Sequence, residues 1–234
     1  MGRGVSNVED QDKRYSDYAA FGEEKYYILK VLEVTEKLKP EGKSLEIGCA
    51  DGSFSEKLKK KGLDAYGIDI SRGAIEKANK KGIKALAINA ETGLPFEDNE
   101  FDLVVATEVI EHIYDTDFLI KEMNRVVKRG GHLVISTPNL ASLVNRAKLL
   151  LGKYPSFVPE YKVGGAGHIR AYTLSVLKQQ LEEHGFKVKK AVSPNVMFPM
   201  ANKTVPKLLK KIAFRIGDYL PTIGSHIIIC ARKR

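Results

Sequence analysis

The chain has no apolar run approaching the roughly 18 residues needed to span a bilayer. No secretory leader pattern is visible at its start. There are only two cysteines, Cys49 and Cys230, and neither has the spacing of a metal or redox pair. A reducing cytoplasm is therefore the expected compartment. No internal repeat, low-complexity region or interdomain linker interrupts the 234 residues, so one α/β domain with a full core is expected over 1–234. Acid is scarce in one region. Over residues 203–234, eight Lys/Arg face a single acid, Asp218, and most of the chain's net charge of +9 sits there. Such a tail suits nucleic acid, an anionic membrane surface or an acidic substrate, and equally a plain solvated helix face.

Hydrophobic residues at 43% and charged residues at 29% describe a soluble globular protein. Its organising stretch is Ser44-Leu45-Glu46-Ile47-Gly48-Cys49-Ala50-Asp51-Gly52. A short apolar strand runs into a small-residue loop and then a helix, the opening of a nucleotide-binding βαβ unit. Gly48 and Gly52 let backbone approach a ligand where a Cβ would collide. The glycine spacing lacks the third glycine of a dinucleotide fingerprint. Glu46 would repel a pyrophosphate and suits a ligand with a cationic end.

Strands are expected at 43–47, 64–70, 84–88, 101–106, 132–136, 186–192 and 226–231. Helices are expected at 22–38, 53–61, 71–80, 115–127, 141–151 and 174–184. Arg129-Gly130-Gly131 reads as the close of the 115–127 helix. The βα alternation implies a Rossmann-like, doubly wound sheet. Residues 1–40 form an expected N-terminal lid, or a helix packing its tyrosines. Residues 140–167 and 194–222 are expected insertions, the second holding a basic amphipathic stretch at 207–219.

Asp69 ends the second strand, 21 residues past Gly48, where an acid meets ribose hydroxyls in this architecture. Glu108, Glu111 and His112 follow the fourth strand at i, i+3 and i+4, so on a helical turn they would share one face beside the crevice. One histidine and two carboxylates can hold a divalent ion or form a general-base pair. Alternatively, the glutamates decorate a helix N-terminus. His168 follows Gly164-Gly165-Ala166-Gly167 and could ride a mobile loop over the crevice, or be a surface residue in a long connection. His132, His184 and His226 read as structural.

The 44–52 loop resembles the first motif of class I S-adenosyl-L-methionine (SAM) dependent methyltransferases, with Ala50 where a glycine is common. Asn89-Ala90-Glu91 before Leu94-Pro95-Phe96 is similar to that family's Asp-Ala-Glu and Leu-Pro-Phe. The resemblance implies a seven-stranded sheet whose last strand is antiparallel. It implies SAM as cofactor and S-adenosyl-L-homocysteine as product. Cofactor contacts are then expected at Glu46, Gly48, Cys49, Ala50, Gly52, Asp69, Ile70, Asn89, Ala90, Glu91 and Thr107. His112, Glu111 and His168 are the expected catalytic residues, without a metal as the default. No Asn/Asp-Pro-Pro-aromatic signature follows the fourth strand, and no cysteine stands where a cytosine C5 enzyme needs one, so an oxygen acceptor is expected. Glu-Val-Ile-Glu-His, Ser136-Thr137-Pro138-Asn139 and a later His are shared in outline by ubiquinone-pathway O-methyltransferases, by methyltransferases of glycan and glycolipid pathways, and more distantly by small-RNA 2′-O-methyltransferases. In the RNA branch such residues bind a divalent ion, which would map to Glu108, Glu111, His112 and His168. The acceptor classes implied are a small molecule, a glycan or lipid-linked hydroxyl, or RNA through the basic C-terminal region; a SAM-binding module that methylates nothing is the remaining alternative.

Overall fold

A computed structural model describes residues 26–157, 167–196, 212 and 214–234. The aromatic segment at 15–20, Gly164 to Ala166, and Lys207, Lys210 and Lys211 of the expected cationic face lie outside these residues. The chain builds α1 (Tyr26–Lys37), β1 (Lys43–Ile47), α2 (Ser53–Lys59), β2 (Asp64–Asp69), α3 (Arg72–Lys80) and β3 (Lys84–Ala87). β4 (Phe101–Thr107), α4 (Thr116–Val126), β5 (Val127–Pro138), α5 (Leu143–Leu150), α6 (Leu174–Glu183), β6 (Phe186–Val192) and β7 (His226–Lys233) follow. Helix starts obey local chemistry. Ser71 Oγ accepts from Ala74 N, Asp115 Oδ1 from Phe118 N and Thr173 Oγ1 from Val176 N, each satisfying an amide the helix leaves open.

The seven strands form one sheet in the order β3-β2-β1-β4-β5-β7-β6. β7 runs antiparallel to both β5 and β6, and every other neighbouring pair is parallel. The order reverses between β1 and β4, which opens a crevice at the carboxyl ends of those strands. β4 is buried on both faces, so its apolar run alternates between two cores. Leu103 and Val105 pack with Val31, Val34, Phe54 and Leu58 of α1 and α2, whereas Val104 and Ala106 pack with Leu119, Ile120, Met123, Leu177 and Leu181 of α4 and α6.

One boundary differs from expectation. Arg129, Gly130 and Gly131 do not close a helix; α4 ends at Val126 and these residues form an irregular stretch inside β5. The register jumps there, Phe101 pairing with Val127 and Leu103 with His132. Gly130 adopts φ 77°, and a Cβ at Gly131 would lie 3.0 Å from the carbonyl oxygens of Asp102 and Lys128. The glycine pair therefore serves a bulge, which needs the same backbone freedom as a helix stop.

Candidate active site

The loop after β1 takes three left-handed residues in alternation: Gly48 (φ 72°), Ala50 (φ 45°) and Gly52 (φ 74°). A Cβ at Gly48 would meet Val109 at 2.6 Å, and one at Gly52 would meet Ala78 at 2.9 Å. Ala50 holds a conformation that glycine adopts without strain. Asp69 pins the loop from β2: Oδ2 accepts from Ala50 N at 2.8 Å, and Oδ1 accepts from Ser71 N at 2.9 Å.

The side chains of Glu46 and Cys49 pack into the protein. Glu46 is 5% exposed, and its Oε2 accepts from Ser55 N at 3.1 Å and from the Ser55 hydroxyl at the start of α2. Burial pushes its carboxyl up to about 8. Cys49 packs its thiol into the cluster of Ala65, Ile75, Ala78, Ile83 and Ala85, and burial raises its pKa. Beyond β3, Asn89 caps the short 3-10 turn Ala90–Thr92, its Oδ1 accepting from Glu91 N at 3.0 Å. Glu91 in turn accepts from Tyr114 N. Ile70 is half-buried beside Asp69. Thr107 ends β4 with a buried Oγ1 that has no hydrogen-bond partner.

The expectation that Glu108, Glu111 and His112 share a helical face needs correction. Glu108 is left-handed (φ 55°), and the turn that follows is a 3-10 turn confined to Ile110–His112. Glu108 is thereby rotated toward β5 and β7. Its Oε1 accepts from Ser136 Oγ at 2.7 Å, and its Oε2 lies 3.5 Å from His226 Nε2. The β7 register, His226 opposite Pro138, brings this histidine to the carboxyl end of β5. There its ring stacks on Tyr27 of α1, centroids 4.9 Å apart. The sequence reads His226 as structural; only the pairing of the last strand gives it this place.

Glu111 and His112 are joined by His168, 56 residues further along. The ligand atoms of these three side chains all lie within 4.8 Å of one another. His168 Nε2 is 4.0 Å from Glu111 Oε1, and the two imidazole centroids are 4.9 Å apart. Local backbone fixes the arrangement. The Glu111 carbonyl accepts from Ile169 N and Arg170 N at 2.9 and 3.2 Å. His112 Nδ1 sits 3.2 Å from Gly167 O, and His168 Nδ1 sits 3.2 Å from Phe157 O. A carbonyl only accepts, so in each neutral ring Nδ1 carries the proton and Nε2 keeps a lone pair. Glu111 is 1% exposed; Oε2 accepts from Thr137 Oγ1 at 3.1 Å, and Oε1 has no hydrogen-bond partner. Burial, and then Glu108, drives the Glu111 carboxyl well above its ordinary range. Burial, and then His168, lowers His112 to about 4. The site thus gathers nitrogen and oxygen lone pairs around one point.

The methyltransferase domain family matches residues 18–191. The ubiquinone biosynthesis O-methyltransferase of Pelagibacter ubique is 35% identical over 101 residues, covering 42% of this chain and 42% of that protein. An uncharacterized protein of Methanocaldococcus jannaschii is 35% identical over 125 residues, covering 53% of this chain and 58% of that one. The matches thus span less than half the length of the ubiquinone-pathway relatives. Among solved structures, a SAM-dependent methyltransferase from Thermotoga maritima superposes with a TM-score of 0.66 at 24% identity, covering 89% of this chain and 90% of that one. The [4+2]-cyclase SpnF reaches 0.59 at 18% identity, over 87% and 80% of the two chains. At such identities the likeness is one of fold, and the fold alone does not name a reaction.

Proposed function

The chain belongs to the class I SAM-dependent methyltransferase family, its methyltransferase domain matched over residues 18–191, and from that premise we propose that it methylates a hydroxyl oxygen of a small-molecule, glycan or lipid-linked acceptor. SAM supplies a methyl group on an activated sulfonium, and S-adenosyl-L-homocysteine is the product. The residues present fit that cofactor. The left-handed loop Gly48 to Gly52 offers backbone without crowding, and Asp69 ends β2, where an acid meets ribose hydroxyls in this architecture. Asn89, Ala90, Glu91 and Ile70 are assigned to the adenine end on the resemblance of Asn89-Ala90-Glu91 to the family's Asp-Ala-Glu. The buried, unpartnered hydroxyl of Thr107 calls for a polar group of the ligand. Glu46 and Cys49 act from behind the loop, shaping it.

The observation that carries the acceptor assignment is the Glu111, His112, His168 cluster at the carboxyl end of β4, with one buried carboxylate oxygen unpartnered. The oxygen–carbon bond forms as the carbon–sulfur bond breaks, and the hydroxyl proton passes to His168 Nε2, the ring being oriented through Nδ1 by the Phe157 carbonyl. His112, which burial lowers to about 4, lines the acceptor. Holding both reactants in line and excluding water supplies the rest. The absent Asn/Asp-Pro-Pro-aromatic signature and the O-methyltransferase relatives both favour oxygen over nitrogen.

The same cluster favours a second reading, a divalent cation held by Glu111, His112 and His168. The donor set fits, because each imidazole is fixed through Nδ1 and leaves Nε2 as a ligand. Two histidines suit Mn²⁺, Co²⁺ or Zn²⁺ better than Mg²⁺. Such an ion would lower the pKa of the acceptor hydroxyl. Chelation separates the readings: turnover survives it in the first and is lost in the second.

Incubating the enzyme and a cell extract with isotopically labelled SAM, followed by mass spectrometry, tests the assignment. Label is expected on an oxygen of a small or lipid-linked molecule. Label on nitrogen alone overturns the oxygen acceptor, and label in RNA moves the reading to the small-RNA branch. If neither SAM nor S-adenosyl-L-homocysteine binds in a calorimetric titration, the whole reading fails.

A further inference from the structure

Helix α5 is amphipathic in the wrong sense for a helix packed on a core. Its single buried residue is the polar Asn145, whereas Leu143, Val144, Leu149 and Leu150 are all exposed. Leu143, Val144, Ala147, Leu150 and Leu151 fall at i, i+1, i+4, i+7 and i+8, one face of the helix opposite Asn145. Leu150 is 88% exposed and Leu151 71%.

This face is held out by ordered backbone. Asn145 Nδ2 donates to Asn139 O and Ser156 O, and Asn145 Oδ1 accepts from Ser156 N at 2.8 Å. Leu151 N donates to Ala147 O, Lys153 N donates to Lys148 O, and Gly152 turns the chain at φ 65°. The polar side of α5 is therefore spent on fixing the turn, and its leucines face water. Exposed Tyr154 and Phe157 extend the apolar surface. The start of α5 is tied to the segment at 219–224, Leu143 N donating to Ile223 O at 2.8 Å, and that segment adds exposed Tyr219 and Leu220.

The charge within residues 139–157 has one sign. No acid occurs from Asn139 to Phe157, whereas Arg146, Lys148 and Lys153 do. Leucines flanked by long cations and tyrosines match the two layers of a bilayer surface, acyl chains below and anionic headgroups above. A second copy of the chain fits less well, because a two-fold contact would set the same cations against one another.

We propose that the α5 face and the turn to Phe157 dock on an anionic lipid surface. The patch ends beside the candidate site, since the Phe157 carbonyl is the partner of His168 Nδ1. The docking claim itself does not depend on methyl transfer.

The test is co-sedimentation of the full chain with vesicles of phosphatidylcholine mixed with phosphatidylglycerol, and with phosphatidylcholine alone. Binding to the anionic vesicles is expected, weakened by salt. Leu150→Asp combined with Leu151→Asp should weaken it about tenfold or more, and Arg146→Gln combined with Lys153→Gln should weaken it without touching the leucines. Unchanged circular dichroism and melting would show that both variants fold. Wild-type chain that stays in the supernatant at low salt overturns the proposal, as does a folded leucine variant that binds like the wild type. A wild-type dimer that the leucine variant dissociates, without vesicle binding, would give the patch to a second copy instead.

Discussion

Glu46 carries the clearest pH signature among single residues. Its carboxyl moves from the ordinary 4.5 to about 8 because burial penalises the charge. The folded chain therefore holds a proton that the unfolded chain releases above about pH 4.5. Stability contributed by this group is full below that pH and is lost as pH rises toward 8. The loss is at most about 1.4 kcal/mol per pH unit across the window. Glu46→Gln, which cannot ionise, should flatten the decline in urea unfolding between those pH values; an unchanged slope would assign the decline to other groups. At the acceptor site, His168→Ala should cost about 10²–10⁴-fold in turnover, the usual worth of a general base, while S-adenosyl-L-homocysteine affinity stays within a few-fold. Retained turnover in His168→Ala and His112→Ala alike would leave positioning as the source of catalysis. The residue types of this site were legible as Glu-Val-Ile-Glu-His and a later His. Their geometry was not, because the left-handed backbone at Glu108 leaves no mark in residue type and swings its carboxylate to His226.

Among the elements, the glycines of the first two βα units separate two physical roles. Gly52 is left-handed, and a Cβ there would lie 2.9 Å from the Ala78 Cβ and 3.1 Å from its Cα, so neighbouring backbone would have to move. Gly52→Ala should destabilise the chain by roughly 1–3 kcal/mol and weaken cofactor binding, because the loop and α3 pack through that contact. Gly73 lies in α3 with ordinary helical φ, and nothing stands within 4 Å of where an alanine methyl would sit. Gly73→Ala should stabilise by up to about 1 kcal/mol, since alanine loses less entropy in a helix. Denaturant midpoints that moved the same way in both variants would contradict this contrast. Periodicity and capping residues located most elements well, as Ser71, Asp115 and Thr173 illustrate. The Gly130-Gly131 pair was ambiguous for a physical reason: a helix stop and a strand bulge both require positive φ.

Across the whole molecule, Lys30 joins parts of the chain 188 residues apart. Its ammonium, 1% exposed, lies 3.0 Å from both Glu33 Oε2 and Asp218 Oδ1, and 3.7 Å from the Phe214 ring centroid. Three residues earlier on the same helix, Tyr27 stacks on His226, so α1 links the 214–218 segment to the crevice. Lys30→Ala should destabilise by roughly 1–3 kcal/mol, since it removes the buried cation beside Asp218 together with its packed stem, while Glu33 keeps its pairing with Lys37. Lys30→Met should cost less, because the apolar stem still packs. Melting temperatures that fell equally would show that the lost charge, and not the packing of the stem, sets the cost. What the sequence alone determined is local or periodic. The βα alternation set the sheet class, and the glycine loop with Asp69 at its fixed distance marked the crevice, because such signals lie within one unit of strand, loop and helix. What only the tertiary structure decided depends on residues far apart in the chain. The insertion of antiparallel β7 between β5 and β6 brings His226 to the crevice, and the return of the chain at 167–170 sets His168 beside Glu111. The outward leucines of α5 belong here too: the sequence located only a helix at 141–151, and the hydrogen bonds of Asn145 to Ser156 set which face meets solvent.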